Sequence, residues 1–135
     1  MAYALGRASG DLISVQKLLL VFFGSGLGGA ARFLFGTWAS DTFRSGFPFA
    51  TIAINTIGSF LIVVVMQLAA RGAISEHVRL ALTTGVLGGF TTYSAFNYET
   101  MYFLQHGNLR LGLMNHAVTV VMCLVAGGAG LLVVR

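Results

Sequence analysis

The chain alternates four long apolar runs with short polar joins. The runs lie near Leu18–Trp38, Phe49–Ala70, Leu80–Phe103 and Leu111–Val134. A helix needs about 20 mostly apolar residues to cross a bilayer, so each run predicts one membrane-spanning helix. The joins, near Ser40–Phe47, Arg71–Arg79 and Gln105–Arg110, leave no room for a soluble domain. The pattern therefore predicts an all-α membrane protein: a polar N-terminal extension over residues 1–17, then a four-helix transmembrane domain over residues 18–135.

Composition strengthens this picture. Hydrophobic residues make up 56% of the 135 positions and charged residues 9%. A soluble domain carries about a quarter charged residues, so too few are present here to cover a water-facing surface. A four-helix unit this small has little interior of its own, which predicts oligomerisation. A removable signal peptide is not expected, because Arg7, Asp11 and Lys17 precede an apolar run too long for a signal core. The single cysteine, Cys123, forms no intrachain disulfide and reads as a small packing residue.

The net charge of +4 bears on topology rather than on nucleic acid, since the basic residues form no patch. Four spans put both termini on one side. Arg7, Lys17, Arg71, Arg79 and Arg135 share that side, Arg44 and Arg110 lie on the other, and Arg32 falls within a span. Basic residues favour the cytoplasm, so the termini are expected inside. The bias is modest enough to permit both orientations.

Glycine occurs 18 times, often inside the runs. Small residues let helices approach closely in lipid, where no hydrophobic force drives them together. Gly24 and Gly28 in run one, and Ala81, Gly85 and Gly89 in run three, have the four-residue spacing this needs. The stretch Gly88-Gly89-Phe90-Thr91-Thr92-Tyr93 differs, because the glycines lead into poor helix formers. A break near residues 88–92 is expected. Freed backbone groups are tolerated at membrane depth only where protein or a wet cavity satisfies them. Free carbonyls there suit a cation and free amides an anion; packing glycines are the simpler alternative.

Several polar residues then need a purpose. Arg32 costs several kcal/mol if central and unpaired. It is either a snorkelling anchor or a positive charge facing a vestibule or Glu99. Glu99 is an interfacial carboxylate, a partner for Arg32, or a proton-coupling group. Thr51, Asn55 and Ser59 stack on one face of run two at i, i+4, i+8, and Asn115, Thr119 and Cys123 do so on run four. These stripes are either interhelical glue or the lining of an anion pore, since they offer donors without fixed negative charge. Tyr93 and Phe96 share a face, with Ser94 beside them; the positive edge of an aromatic ring can approach an anion. The histidines are scattered, which argues against a transition-metal site, and no nucleophile–base set is readable, which argues against an enzyme.

These residues resemble the Fluc/CrcB family of bacterial fluoride channels over nearly the whole chain after residue 17. The likeness runs through Gly28-Gly29-Ala30-Ala31-Arg32-Phe33, Phe49-Ala50-Thr51 and Asn55-Thr56-Ile57-Gly58-Ser59-Phe60. Its most specific part is Gly85 to Phe96, followed by Glu99. The resemblance implies an antiparallel, dual-topology homodimer in the bacterial inner membrane, with two fluoride pores at the subunit interface. It implies third helices broken at their centres around one structural sodium ion, held by the backbone carbonyls of Gly88 and Thr91. The pore residues it implies are Asn55, the stacked aromatics Tyr93 and Phe96, Ser94, and a fourth-helix track of Thr119 with Cys123 and Asn115. Arg32 and Glu99 match the family's first-helix arginine and the glutamate beyond the aromatics. The implied function is passive export of fluoride, which lowers its cytoplasmic concentration.

The chain departs from the family in having Tyr93-Ser94-Ala95-Phe96 where Phe-Ser-Thr-Phe is usual, and in placing Cys123 where a hydroxyl is common. One rival is a small proton-coupled multidrug-type exporter, which also has four short spans. It needs a membrane-embedded carboxylate, usually in the first span, where this chain has Arg32 instead. A purely structural membrane subunit is the other rival.

Overall fold

A computed structural model describes residues 15–135. Of the expected polar extension over 1–17, residues 1–14, with Arg7 and Asp11, lie outside the described residues. Val15–Lys17 open the first helix. The described chain is helical, in the order α1 (Val15–Phe43), α2 (Phe49–Ala70), α3 (Glu76–Leu80), a π-helical segment (Ala81–Leu87), α4 (Gly88–Phe90), α5 (Tyr93–Gln105) and α6 (Leu109–Val133). Three of these, α1, α2 and α6, are each long and apolar enough to cross a membrane. Helix α2 has the bounds the apolar pattern predicts. Helix α1 runs on past Trp38 and carries Asp41 in its last turn.

The helix ends follow local chemistry. Pro48, the chain's one proline, sits just before α2, where its missing N–H costs no helical hydrogen bond. Gly72 and Gly107 adopt positive φ and end α2 and α5. At each, two backbone bonds wrap the last turn: Gly72 to Ala69 at 3.0 Å with Ala73 to Leu68 at 3.0 Å, and Gly107 to Leu104 at 3.1 Å with Asn108 to Phe103 at 2.8 Å. This is the Schellman arrangement, which glycine fits because it lacks Cβ. At the start of α3, the Ser75 side chain accepts from the Val78 amide. Arg79 donates twice to Glu76, at 2.7 and 2.9 Å, and this pairing holds the Glu76 carboxyl below the ordinary carboxylate range.

The third apolar run is one helical path with two irregularities. The first is the π segment, in which each turn takes an extra residue. The Thr83 hydroxyl donates back to the Arg79 carbonyl at 2.8 Å, a bond that competes with helical pairing. The second is the break. It is narrower than the sequence suggests, because Gly88–Phe90 stay helical and only Thr91 and Thr92 are extended.

Gly89 serves close packing, the simpler alternative its spacing allowed. A Cβ on Gly89 would overlap the Ser25 backbone, and one on Gly28 would overlap the Val86 carbonyl. On Gly24 it would lie 2.9 Å from both the Ala81 oxygen and the Gly85 Cα. Gly24 and Gly28 therefore interlock with Gly85 and Gly89, as their spacing predicts, and join α1 to the π segment and α4. Helix α2 packs along α6, and α5 packs on α6 from the other side of the break. Large apolar side chains such as Phe22, Phe33 and Leu124 project outward, and few are buried. That inversion of a soluble fold suits a lipid surround.

Candidate functional site

The break is held by one side chain. Asn55, on α2, donates from Nδ2 to the Thr92 carbonyl at 3.0 Å and accepts from the Thr92 amide on Oδ1 at 2.8 Å. The amide thus copies a backbone partner and satisfies both groups of an extended residue. Thr92 then restarts the chain, its hydroxyl accepting from the Ala95 amide at 3.2 Å as the N-cap of α5. Thr91 closes the other side, its amide and hydroxyl both donating to the Leu87 carbonyl at 2.9 and 2.8 Å. Its methyl rests over Gly58, where a Cβ would collide with it.

This pairing frees carbonyls. In a continued helix the Thr92 amide would cap Gly88 and the Ala95 amide would cap Thr91. The first goes to Asn55 and the second to the Thr92 hydroxyl. The Gly88 and Thr91 carbonyls are thereby released from the helical ladder. Thr91 O accepts from Arg32 Nη1 at 3.4 Å, and a carbonyl has a second lone pair. Carbonyl oxygens suit a hard cation, so the donor set fits the sodium ion implied by the resemblance. Among the described residues no group of histidine, cysteine or carboxylate side chains is placed to hold a metal.

A groove of about 470 Å³ opens on one side of the break. Asn55, Gly88, Thr91, Tyr93, Phe96, Thr119 and Cys123 all line it. Seven of the residues singled out in the sequence thus converge from α2, the broken path and α6. The Tyr93 and Phe96 rings meet edge to face, with centroids 5.6 Å apart. Phe96 is buried, whereas Tyr93 is 75% exposed at the open side of the groove.

A second hollow, about 780 Å³, lies across the break. It takes in Arg32, Thr51, Thr92, Tyr98 and Glu99. Arg32 and Glu99 share this vestibule but do not pair; Arg79 pairs with Glu76 in α3 instead. Glu99 accepts instead from the Thr51 hydroxyl at 2.6 Å, while its buried Oε2 has no hydrogen-bond partner. Arg32 is held at the break because Thr91 O, freed from the ladder, is the acceptor available to it.

Two pore candidates line neither hollow. Ser94 is exposed, and its hydroxyl lies 3.3 Å from that of Thr92. Asn115 is fully buried between α6 and α5 and donates to the Thr100 hydroxyl at 3.0 Å. The sequence reading missed Thr92 and Thr100. An N-cap threonine before a helical run was a usable signal for Thr92, whereas nothing in the local sequence marks Thr100.

Known proteins resemble this chain along most of its length. The family described as "CrcB-like protein, Camphor Resistance (CrcB)" matches residues 19–131. A protein of Sorangium cellulosum named "Fluoride-specific ion channel FluC" is 45% identical over 119 residues, covering 84% of this chain and 94% of the relative. One of the same name from Anaeromyxobacter sp. is 44% identical over 122 residues, covering 90% and 97%. A third, from Thermus thermophilus, is 42% identical over 102 residues, covering 76% and 80%. With this match along most of its length, the chain belongs to the CrcB-like family.

Proposed function

We propose that this chain is a passive, fluoride-selective channel of the bacterial inner membrane, working as an antiparallel homodimer of four-span subunits with two pores. The observation that carries the reading is the groove, where a clamped break, two edge-on aromatics and the α6 polar track meet. The three relatives, each named as fluoride-specific channels, point the same way. A proton-coupled exporter has no comparable support. The α1 carboxylate, Asp41, sits exposed in the last turn, and Glu99 is bonded to Thr51.

Fluoride is small and holds its water tightly, so a pore must offer substitute donors yet bind weakly enough to release the ion. Asn55 keeps one Nδ2 hydrogen beyond its bond to Thr92. Tyr93 adds a phenol hydroxyl, and both rings present positive edges. Arg32 supplies positive potential from the vestibule. A negative-inside potential drives the anion outward, since one charge crossing 100 mV is worth about 2.3 kcal/mol.

The open side of the groove supports the dimer. Gly88 and Tyr93 are exposed there, beside irregular backbone. Lipid does not tolerate such backbone, so protein must cover it. A two-fold axis through this face would bring the Gly88 and Thr91 carbonyls of both subunits together, and these would hold the sodium ion. Such an ion would neutralise the converging carbonyl dipoles, leaving the anion path to the side chains.

The test is fluoride efflux from liposomes containing the purified chain. Electrogenic efflux that discriminates against chloride is expected, and Phe96→Ile lowers it while the dimer persists on size exclusion. Proton-coupled drug exchange, or no flux from folded protein, would sink the reading.

A further inference from the structure

We infer that Asn115, which does not touch the groove, sets which way the Thr119 hydroxyl points and thereby weakens anion binding there. The inference rests on the fluoride reading above and deepens it.

Four buried groups form a chain of bonds. The Thr100 hydroxyl donates to the Phe96 carbonyl at 2.9 Å. A carbonyl can only accept, so this bond occupies the single proton of Thr100. Thr100 Oγ1 can then only accept from Asn115, which brings Nδ2 to it at 3.0 Å. The amide is thereby oriented, and its Oδ1 faces Thr119. Thr119 donates to that oxygen at 3.5 Å. Asn115 is 0% exposed, Thr119 5%, Thr100 7% and Phe96 4%, so water does not offer these groups an easy alternative.

The polarity of the chain has a consequence in the groove. With its proton on Asn115, Thr119 turns lone pairs toward the groove, and lone pairs repel an anion. An arriving fluoride must draw the proton away from Asn115 Oδ1. The bond it breaks is the longest of the three and sits at the limit of hydrogen-bonding distance. Asn115 is therefore a positioning residue that competes with the ion for one hydroxyl proton. Such competition favours release, which a conducting site needs. The start of the chain, Phe96, is itself a groove aromatic, so the same bonds tie ring placement to hydroxyl direction.

Fluoride efflux from liposomes is measured across a range of internal fluoride, separating half-saturating concentration from maximal rate. Asn115→Leu removes the competing acceptor. Half-saturation is expected to fall about threefold to tenfold, the range one neutral hydrogen bond is worth. Thr100→Val, nearly isosteric and away from the groove, lets the Asn115 amide turn over and donate to Thr119. The Thr119 proton then faces the groove, and half-saturation falls in the same direction. Neither change shifts half-saturation in a Thr119→Val background. Unshifted half-saturation in Thr100→Val, or a shift that persists without the Thr119 hydroxyl, overturns the inference. Wild-type liposomes that release no fluoride overturn the reading beneath it as well, which sets that failure apart from this one.

Discussion

Helices α2 and α6 carry the same sequence device: three polar residues at i, i+4 and i+8 on an apolar helix. Their fates differ. On α2 each residue has a separate task. Thr51 bonds Glu99 in the vestibule, Asn55 clamps the break, and Ser59 lines the groove. On α6 the first two act together, with Asn115 buried and Thr119 bonded to it, while Cys123 lines the groove below. Spacing therefore selects a face of a helix, but not the depth, the partner or the task of each residue on it. On α2, Asn55 reaches irregular backbone, which needs partners. On α6, Asn115 faces α5, a regular helix whose backbone is already paired, so it bonds to a side chain.

Four substitutions sharpen this contrast. Asn55→Leu has the largest effect. It leaves the amide and carbonyl of Thr92 without partners, at about 1–3 kcal/mol each and so about 2–6 kcal/mol together. Thermal unfolding in detergent should drop sharply and liposome efflux should vanish. Retained efflux would show that the break does not need its clamp. Thr51→Val comes next, stripping Glu99 of its hydroxyl donor at about 1–3 kcal/mol. The unfolding midpoint falls while the break persists, so efflux slows rather than stops. A stability equal to wild type would detach Thr51 from Glu99.

Smaller effects are expected lower on the stripes. Cys123→Ser replaces a weak S–H donor by a hydroxyl, and maximal efflux should rise by up to about threefold. A methanethiosulfonate reagent should slow wild-type efflux and spare the serine variant. Equal sensitivity of the two would remove Cys123 from the ion path. Ser59→Ala is the mildest. Its hydroxyl makes no hydrogen bond among the described residues, so stability should stay within about 0.5 kcal/mol. A larger loss on unfolding would mean that the stripe acts as a unit on α2 too.

Much of the site was legible before the fold was known. Asn55, Tyr93, Phe96, Thr119 and Cys123 were marked by polar or aromatic character on an apolar helix, and the groove gathers all five. Gly24, Gly28, Gly85 and Gly89 were marked as close-packing positions and interlock as such. The break was legible to within a few residues, because poor helix formers follow the glycine pair. Gly89 itself matches the simpler alternative, a packing glycine, since the Ser25 backbone of α1 takes up the space its missing side chain leaves. The threonines that follow bend away because Asn55 rewards an extended Thr92 with two bonds. A pair between Arg32 and Glu99 was one of the alternatives the sequence left open, and the structure does not form it. Nearer neutral partners, the Thr91 carbonyl and the Thr51 hydroxyl, took their place.

By itself the sequence determined the solvent, the apolar helices and the faces that carry polar groups. These follow from composition and from the helical period, which are local properties of the chain. Only the tertiary structure decided that Asn55 reaches Thr92, that the Gly88 and Thr91 carbonyls leave the helical ladder, and that Asn115 is sealed behind the groove. Residues 37 and 15 positions apart meet in two of those contacts. A period along one helix specifies no neighbour on another. Packing supplies the neighbours, here by setting α2 beside the break and α6 beside α5.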